Sequence, residues 1–567
     1  MAEHRVDLLA SVHGYRRAWV SGDLIAGLTV WAVLVPESLA YATIAGVSPV
    51  IGLYAVPPAL LFYALFGSSK VLVTGPSAAT AALSAAAVAQ ITTGGPANFA
   101  AFTAMLAIVT GVLALLAGLF RMGFLANFIS EPVMKGFIIG LALTILVGQL
   151  PKLFGIEKSE GDFFKQLWKF LGNLGDTQWL TLLIGSASLA IVLVLRRFAP
   201  KVPGSLVAVF FGIIAVKVFS LDEHGVAIVG HINSGFPSIG LPHSLSLSDY
   251  LTASASAVGI LLVGFAEGLG AAKTYATRGH YEIDPNRELI GLGAANIGAG
   301  LCSGMVVGGS LSKTALSASS GARTQVSGIF VAVMTVFTFL FLTGLFEDLP
   351  EATLAAVVIG SLIALIDFAA LTRLYRLTTS QLGQIYGPAA RPDFIAAIAA
   401  MFGVLIFDTL PGLFIGIGVS LLLLLYRSSR PHIAELGKVP GTPNQYGDRT
   451  VHAEDVRVPG VLIARIEGGL YFANADTVRD ELRNDAAKAS ARAVVLDAEA
   501  IPFIDVTAAS MLDQLARDLD ANGVHLVVAR DIGQVRDLFK AAKADALLDH
   551  LYPSVQSAVD AVSKAPS

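Results

Sequence analysis

One short stretch of this chain combines the residue types of an anion site. Residues 305–318 begin as an apolar extended segment, break at Gly308 and Gly309, and continue as small residues that predict a helix. Ser312 and Lys313 stand at the predicted start of that helix. The first N–H groups of a helix are free and its dipole is positive there, so this position can bind an anion. Lys313 adds a positive charge that is unfavourable at a helix start unless an anion or a carboxylate lies beside it.

The same pattern occurs earlier in the chain, at residues 71–84. Aligning the copies places Gly75 on Gly308 and Ser77 on Ser310, at a constant offset of 308 − 75 = 233. Two broken, half-length membrane segments at matching positions indicate a transporter binding site. Serine and threonine in membrane helices also serve packing, and a tyrosine can simply fill the bundle, so both alternatives stay open for these side chains. The predicted substrate-binding residues are Tyr41, Ser77, Ala78, Thr80, Leu311, Ser312 and Lys313.

Two carboxylates, Glu37 and Glu267, lie inside otherwise apolar segments. The segments around them, 36–42 and 266–272, are similar at an offset of 267 − 37 = 230, close to that of the broken helices. A carboxylate inside a bilayer is expensive, and it usually faces the bundle interior and marks an ion or proton path. We therefore predict proton or cation coupling for both. The alternatives are that each caps a neighbouring broken helix, or that Lys313 neutralises Glu267 in a structural pair.

The composition is that of a membrane protein. Of 567 residues, 54% are hydrophobic and only 14% are charged. The single cysteine, Cys302, excludes a disulfide framework, and the histidines show no metal-ligand spacing. No Walker A motif, dinucleotide fingerprint or catalytic-triad spacing occurs. We expect no metal, no cofactor, no enzymatic activity, no ATP-driven pump and no nucleic-acid partner.

Apolar segments long enough to span or half-span a bilayer recur along most of the chain. We predict seven in each half: 22–45, 47–66, a half-helix at 78–92, 99–120, 124–149, 179–195 and 204–220, then 250–272, 286–302, a half-helix at 311–320, 326–346, 351–367, 393–408 and 411–426. Lys and Arg concentrate in the connections that this count places inside, whereas residues 221–250 contain none. Both termini are therefore predicted to be cytoplasmic, in an inner (plasma) membrane. Because seven is odd, the second copy crosses the bilayer in the opposite sense, as an inverted repeat.

The chain divides by composition into four parts. Residues 1–21 are predicted to be a cytoplasmic N-terminal segment, 22–426 a transmembrane transport domain and 427–455 a linker. From 456 to 567, alternating strand and helix patterns predict one small α/β domain. In this domain Thr507 lies near a helix start, where its hydroxyl either caps the helix or serves as a regulated site.

These features together resemble the SulP family of anion transporters, which includes prestin and pendrin. Residues 35–54 resemble the family's first-helix signature, Gly75-Pro76 the start of its third helix, and residues 310–315 its tenth-helix Ser-x-Ser-Arg-[ST] motif. Residues 470–474 with Ile504-Asp505 resemble a STAS domain. The resemblance implies fourteen helices split into core and gate domains, an elevator motion of the core, and a homodimer with cytoplasmic STAS domains.

The resemblance also implies roles for particular residues. Ser312 and Lys313 match the family's Ser-Arg pair at the anion site, Glu267 matches its eighth-helix acidic residue for cation coupling, and Thr507 matches the position phosphorylated in anti-anti-sigma STAS proteins. Two residues depart from the family pattern: Glu37 stands where many members have glutamine, and Lys313 replaces the commoner arginine, giving a point charge instead of a planar fork.

The expected function is secondary active transport of a small inorganic anion, with proton-coupled sulfate uptake by an elevator mechanism as the main hypothesis. The alternatives are transport of bicarbonate or a dicarboxylate, coupled to protons or sodium, and anion exchange. Two further hypotheses are a regulatory STAS scaffold and a nucleobase transporter of the same fold. Lys313 and the STAS-like domain argue against the nucleobase transporter, and the two buried glutamates against the scaffold.

Overall fold

The computed structural model describes residues 9, 14–92, 96–159, 161–199, 202–232, 235–242, 245–363, 365–379, 391–442 and 444–564. The chain separates into two compact units, Met1–Ser420 and Leu421–Ser567. The first unit is helical and apolar, and the second is α/β. The predicted architecture of a helical membrane unit followed by a small α/β unit is thereby confirmed.

The first half of the helical unit contains eight helices and one short strand. They are α1 (Val20–Ile44), α2 (Pro49–Phe66), β1 (Val73–Gly75), α3 (Ala78–Ile91), α4 (Pro96–Leu119), α5 (Glu131–Phe154), α6 (Phe163–Gly172), α7 (Trp179–Phe198) and α8 (Gly204–Phe219). A 3-10 helix at Met122–Phe128 precedes α5, so α5 begins later than the predicted segment 124–149. The amphipathic helix α6 lies in a connection for which the sequence predicted no helix.

The second half also contains eight helices and one short strand among its described residues. Its elements are α9 (Leu247–Gly279), α10 (Pro285–Leu301), β2 (Gly308–Ser310), α11 (Leu311–Ser319), α12 (Val326–Phe337), α13 (Glu351–Ile363), α14 (Phe368–Thr379), α15 (Arg391–Phe407) and α16 (Thr409–Ser428). After α12 the chain continues through a π-helical turn, Thr338–Leu342, and a 3-10 turn, Thr343–Phe346. Among the described residues, nine helices are long and apolar enough to cross a membrane. The count of fourteen spans and the inverted repeat stay predictions.

The two broken segments meet through a two-stranded antiparallel sheet. Gly75 of β1 lies opposite Gly308 of β2, and Val73 lies opposite Ser310. Because the repeat alignment equates Gly75 with Gly308, each of these glycines pairs with its own counterpart. The antiparallel pairing is consistent with the predicted inverted repeat.

The glycines at the second broken segment form the strand instead of interrupting it. The sequence predicted a break at Gly308 and Gly309, yet both lie in β2. The physical reason is close packing against α9: a Cβ at Gly309 would lie 2.5 Å from the Cα of Gly268. A side chain would therefore separate the strand from the helix.

The second unit is built on a six-stranded sheet with strand order β4-β3-β5-β6-β7-β8. Its strands are β3 (His432–Lys438), β4 (Tyr446–Asp448), β5 (Val461–Glu467), β6 (Ala493–Asp497), β7 (His525–Ala529) and β8 (Leu551–Tyr552). Its helices are α17 (Ala475–Lys488), α18 (Val506–Asp520), α19 (Gly533–Ala541), α20 (Asp545–Leu548) and α21 (Val555–Lys564). Strands β5 to β8 are parallel, and alternate residues of β6 face two separate apolar clusters, Val494 in one and Val495 in the other.

The interval predicted as a linker, 427–455, contains regular structure. Helix α16 extends into it, and β3 and β4 follow. Strand β3 pairs antiparallel with β5 and buries Ala434 and Leu436 against the sheet. Proline, glycine and charged residues are frequent in this interval, so its composition gave no sign of strand β3, which lies between β4 and β5 in the sheet.

Candidate functional site

The start of α3 is a closed capping arrangement. Ser77 is the N-cap residue: its Oγ accepts a hydrogen bond from the Thr80 N–H at 3.3 Å, and the Thr80 Oγ1 accepts one from the Ser77 N–H at 3.2 Å. Both residues are buried, as is Ala78 between them. The two hydroxyls therefore fix the first turn of α3, and their contact with a substrate stays a prediction.

The start of α11 is open on one side. Ser310 caps the helix, with its Oγ 3.4 Å from the Lys313 backbone N–H and 3.2 Å from the Ser312 Oγ. Ser312 is exposed and Leu311 is 48% exposed, whereas Lys313 is only 3% exposed. The first turn of α11 thus presents Leu311 and Ser312 outward and directs the Lys313 side chain into the protein.

The Lys313 ammonium joins the two broken segments. Its Nζ donates to the carbonyl oxygen of Pro76 at 2.8 Å, lies 3.3 Å from Oε2 of Glu37, and sits 5.0 Å from the centroid of the Tyr41 ring. The sequence suggested Glu267 as the structural partner of Lys313, and the observed ion pair is with Glu37 instead. Glu37 lies on α1, one turn before Tyr41, so both reach the ammonium from the same helix face.

Glu267 is a second carboxylate beside this pair. It is partly buried on α9, and no cation of the described chain lies within ion-pair distance of it. Lys313 is close enough to act on it electrostatically. The packing of Gly268 against Gly309 holds this part of α9 against β2, which brings Glu267 near the start of α11. The two carboxylates therefore differ in kind, since one is ion-paired and the other is not.

Buried polar residues that the sequence did not single out position the broken segments. Asn296 on α10 is fully buried; its Nδ2 donates to the Val307 carbonyl at 2.9 Å and its Oδ1 accepts from the Val307 N–H at 3.0 Å. The Asn296 side chain thus makes the two hydrogen bonds to Val307 that a neighbouring strand would otherwise make. The available signal was an asparagine inside an otherwise apolar, glycine-rich helix.

Two buried carboxylates hold the loops on either side of the strand pair. Glu288 accepts hydrogen bonds from the Tyr63 hydroxyl and the Ser68 hydroxyl, each at 2.6 Å. Asp23 accepts from the Arg323 N–H at 2.7 Å and from the Thr324 hydroxyl at 2.8 Å. Their partners are remote in sequence, so nothing local to either carboxylate predicted these roles.

The arrangement is suited to binding an anion. The first-turn N–H groups of Ala78, Ala79, Leu311 and Ser312 have no acceptor within their own helices, and a buried ammonium lies between the two helix starts. An oxyanion placed there would receive hydrogen bonds and favourable helix dipoles. Among the described residues, no group of three His, Cys, Asp or Glu side chains could hold a metal ion.

In the α/β unit, Asp505 caps α18 and Thr507 does not. The Asp505 carboxylate accepts from the Ala508 N–H and the Phe472 N–H, both at 2.8 Å. Thr507 is exposed at the second helical position. The capping role expected for Thr507 is wrong, because Asp505 occupies the N-cap position and its carboxylate accepts the hydrogen bond from the first turn of the helix. A regulatory role of Thr507 stays a prediction.

Comparison with known proteins gives matches to two families, the Sulfate permease family over residues 20–386 and the STAS domain over residues 452–558. A probable sulfate transporter of Mycobacterium tuberculosis is 36% identical over 96% of each chain. Sulfate transporter 1.3 of Arabidopsis thaliana is 31% identical over 96% of this chain and 85% of its own.

Among solved structures, SLC26A9 aligns with a TM-score of 0.85 at 22% identity, covering 98% of this chain and 92% of its own. The transmembrane domain of a cyanobacterial bicarbonate transporter aligns with a TM-score of 0.59 at 23% identity, covering 71% of this chain and 98% of its own. At these identities the structural likeness concerns the fold.

Proposed function

The chain belongs to the sulfate permease family and carries a STAS domain, as its motifs predicted, and from this premise we propose that it is a proton-coupled sulfate importer. It is a multi-pass membrane transporter of anions and not an enzyme. We propose further that sulfate binds between the first turns of α3 and α11. The bound anion then crosses the membrane as the core domain moves like an elevator against the gate.

The observation that carries the proposal is the buried Lys313 ammonium at a helix start. A cation in this position is opposed by the helix dipole, and removing one partner of a buried ion pair costs about 3–5 kcal/mol. The site therefore requires negative charge. In the absence of substrate Glu37 supplies it, and sulfate supplies it during transport.

Access for the anion is provided by the exposed side of α11. Sulfate reaching Ser312 meets the free N–H groups of the first turn, and its charge draws the ammonium away from Glu37. The ion pair between Lys313 and Glu37 thus keeps the site closed until sulfate separates the two side chains. Glu37 remains close enough to recapture Lys313 when the anion leaves.

Coupling to protons follows from the charges around the site. With Lys313, Glu37 and Glu267 all ionised, the formal charge is +1 − 1 − 1 = −1, which repels a divalent anion. A proton on Glu267 makes the site neutral before sulfate arrives. We assign this proton to Glu267 because an unpaired carboxylate inside a membrane is expensive to keep charged, whereas Glu37 is stabilised by Lys313.

We propose sulfate as the substrate because sequence relatives that match 96% of this chain are named as sulfate transporters. The likeness to a bicarbonate transporter is one of fold at 23% identity. We further propose an inner (plasma) membrane location with both termini cytoplasmic, and a homodimer as the working unit. Thr507 is proposed as a regulatory position of the STAS domain.

Uptake into proteoliposomes tests the substrate. Labelled sulfate, bicarbonate and a dicarboxylate are offered separately to the full-length protein and to a Lys313→Ala variant. We expect saturable uptake of sulfate that is lost in the variant. Uptake of bicarbonate or the dicarboxylate without sulfate would contradict the substrate, and sulfate uptake undiminished by Lys313→Ala would contradict the site.

A further inference from the structure

A cavity of about 550 Å³ lies in the helical unit, away from the first turn of α11. It is bordered by the residue preceding α1, the loop before β1, the end of α9, and the end of α11 with the loop that follows it. Lys70, Arg278 and Arg323 contribute to its wall. No aspartate or glutamate is among its lining residues, so the three cations give the lining a formal charge of +3.

The three cations form no ion pair with a carboxylate of the described residues. Within the described ranges, no acidic side chain lies at ion-pair distance from any of them. Lys70 instead places its ammonium 5.1 Å from the centroid of the Tyr281 ring, and Arg278 places its guanidinium 5.1 Å from that of Tyr275. Aromatic rings orient these cations and leave their N–H groups available to a ligand.

The backbone that carries Lys70 and Arg323 is held by hydrogen bonds to two polar side chains. The Tyr281 hydroxyl accepts a hydrogen bond from the Lys70 N–H at 3.3 Å. The carboxylate of Asp23, which is fully buried, accepts from the Arg323 N–H at 2.7 Å. Because the wall is fixed before any ligand arrives, binding there would cost little ordering.

A further link ties the two sides of the cavity together. The Gln325 side-chain amide donates to the carbonyl oxygens of Ser69 at 3.0 Å and Leu72 at 2.9 Å. It joins the loop after α11 to the loop before β1, and these loops carry Arg323 and Lys70. The backbone positions of these two cations are therefore held relative to each other.

We propose that this cavity is a binding site for a phosphate-bearing anion, distinct from the transport site. Arginine and lysine together provide the donors that phosphate groups prefer. The cavity lies at the ends of predicted membrane spans, on the predicted cytoplasmic side, and Trp19 borders it. Aromatic and basic residues at this level are typical of contact with lipid headgroups. The phosphate belongs either to an anionic lipid headgroup or to a soluble molecule.

Helix α11 connects this cavity to the transport site. Its nine residues span about 13 Å, with Lys313 in the first turn and Ser319, at its last residue, lining the cavity. An anion bound at the cavity would offset the cations beside the negative, C-terminal end of the helix whose first turn is proposed to bind the substrate. Occupancy is expected to change the rate of transport without being required for substrate binding.

The test measures binding by the purified full-length protein in lipid nanodiscs. One arm contains phosphatidylglycerol in phosphatidylcholine and measures retained phosphatidylglycerol by native mass spectrometry. The other contains phosphatidylcholine alone and titrates inorganic phosphate by calorimetry. Each arm compares the wild type with a triple variant, Lys70→Gln, Arg278→Gln and Arg323→Gln. Lys273→Gln serves as the matched control, because Lys273 is exposed on the same helix α9 and does not line the cavity.

We expect the wild type and the control to bind and the triple variant to bind roughly a hundredfold more weakly, since each cation near an anionic lipid contributes about a fivefold factor. Loss in the phosphatidylglycerol arm identifies a lipid headgroup, and loss in the phosphate arm identifies a soluble anion. If the triple variant does not fold, Arg278→Gln alone is expected to weaken binding roughly fivefold. Unchanged binding in a folded variant, or binding that disappears only with Lys313→Ala, would overturn the proposal.

Discussion

The Lys313 ammonium lies 3.3 Å from the Glu37 carboxylate and 2.8 Å from the Pro76 carbonyl, so one side chain of the second broken segment contacts both α1 and the first broken segment. Lys313 and Glu37 are separated by 313 − 37 = 276 positions in sequence. The pair therefore depends on the two halves of the helical unit being assembled. It also gives the site a negative partner for Lys313 when no anion is bound.

Replacing Lys313 by alanine is expected to abolish sulfate uptake. The change removes the cation of the anion site and leaves Glu37 without its ion-pair partner, at a cost of about 3–5 kcal/mol. Lys313→Arg is the control, because arginine keeps the charge and can reach a carboxylate in two-point fashion. Uptake is measured in proteoliposomes alongside the melting temperature. A stable Lys313→Ala variant with normal uptake would exclude Lys313 from the site.

Replacing Glu37 by glutamine is expected to strengthen sulfate binding and slow turnover. Glutamine keeps the size of the side chain but cannot hold the ammonium by charge, so Lys313 is free for the anion. We expect a KM roughly tenfold lower, equivalent to about 1.4 kcal/mol, with a reduced maximal rate. Concentration-dependent initial rates check this, with Glu37→Asp as the charged control. An increased KM would show that Glu37 supports substrate binding and does not compete with it.

Replacing Gly309 by alanine is expected to destroy the site by steric conflict. The added Cβ would lie 2.5 Å from the Cα of Gly268, so β2 and α9 must separate. Gly270→Ala is the matched control, since a Cβ at Gly270 meets nothing within 4 Å and alanine favours the helix. Sulfate uptake and melting temperature should fall only for Gly309→Ala. Equal behaviour of the two variants would mean that the close packing is unimportant.

Replacing Asp505 by alanine is expected to loosen the start of α18. The carboxylate accepts two backbone hydrogen bonds, and loss of a cap costs about 1 kcal/mol. Hydrogen exchange of the full-length protein should show faster exchange at the first turn of α18. Thr507→Ala, in the same turn but without a capping bond, should leave exchange unchanged. The reverse pattern would restore Thr507 as the cap.

The sequence was most informative where charged residues interrupt apolar segments. Lys313, Glu37 and Glu267 are charged residues within apolar segments, and the repeat at an offset of 233 identified both broken helices. These signals are local or periodic, so a single sequence contains them. The α/β unit was predictable for the same reason, since buried strands such as β6 are continuous apolar runs.

Contacts between residues that are distant in sequence could not be predicted from local or periodic patterns. The pairing of Lys313 with Glu37 instead of Glu267 depends on side-chain directions across three elements. The roles of Asn296 and Glu288 depend on backbone groups in loops that the sequence does not pair with them. Strand β3 was missed because its apolar contribution is small and its stability comes from pairing with β4 and β5.

The central claim is that a proton on Glu267 accompanies sulfate into the site. Proteoliposomes containing the wild type or Glu267→Gln are placed in buffer with labelled sulfate, with and without an inward proton gradient. We expect the wild type to accumulate sulfate above equilibrium only with the gradient, and Glu267→Gln to reach equilibrium at the same level in both conditions. Wild-type sulfate uptake that is indifferent to the proton gradient would contradict it.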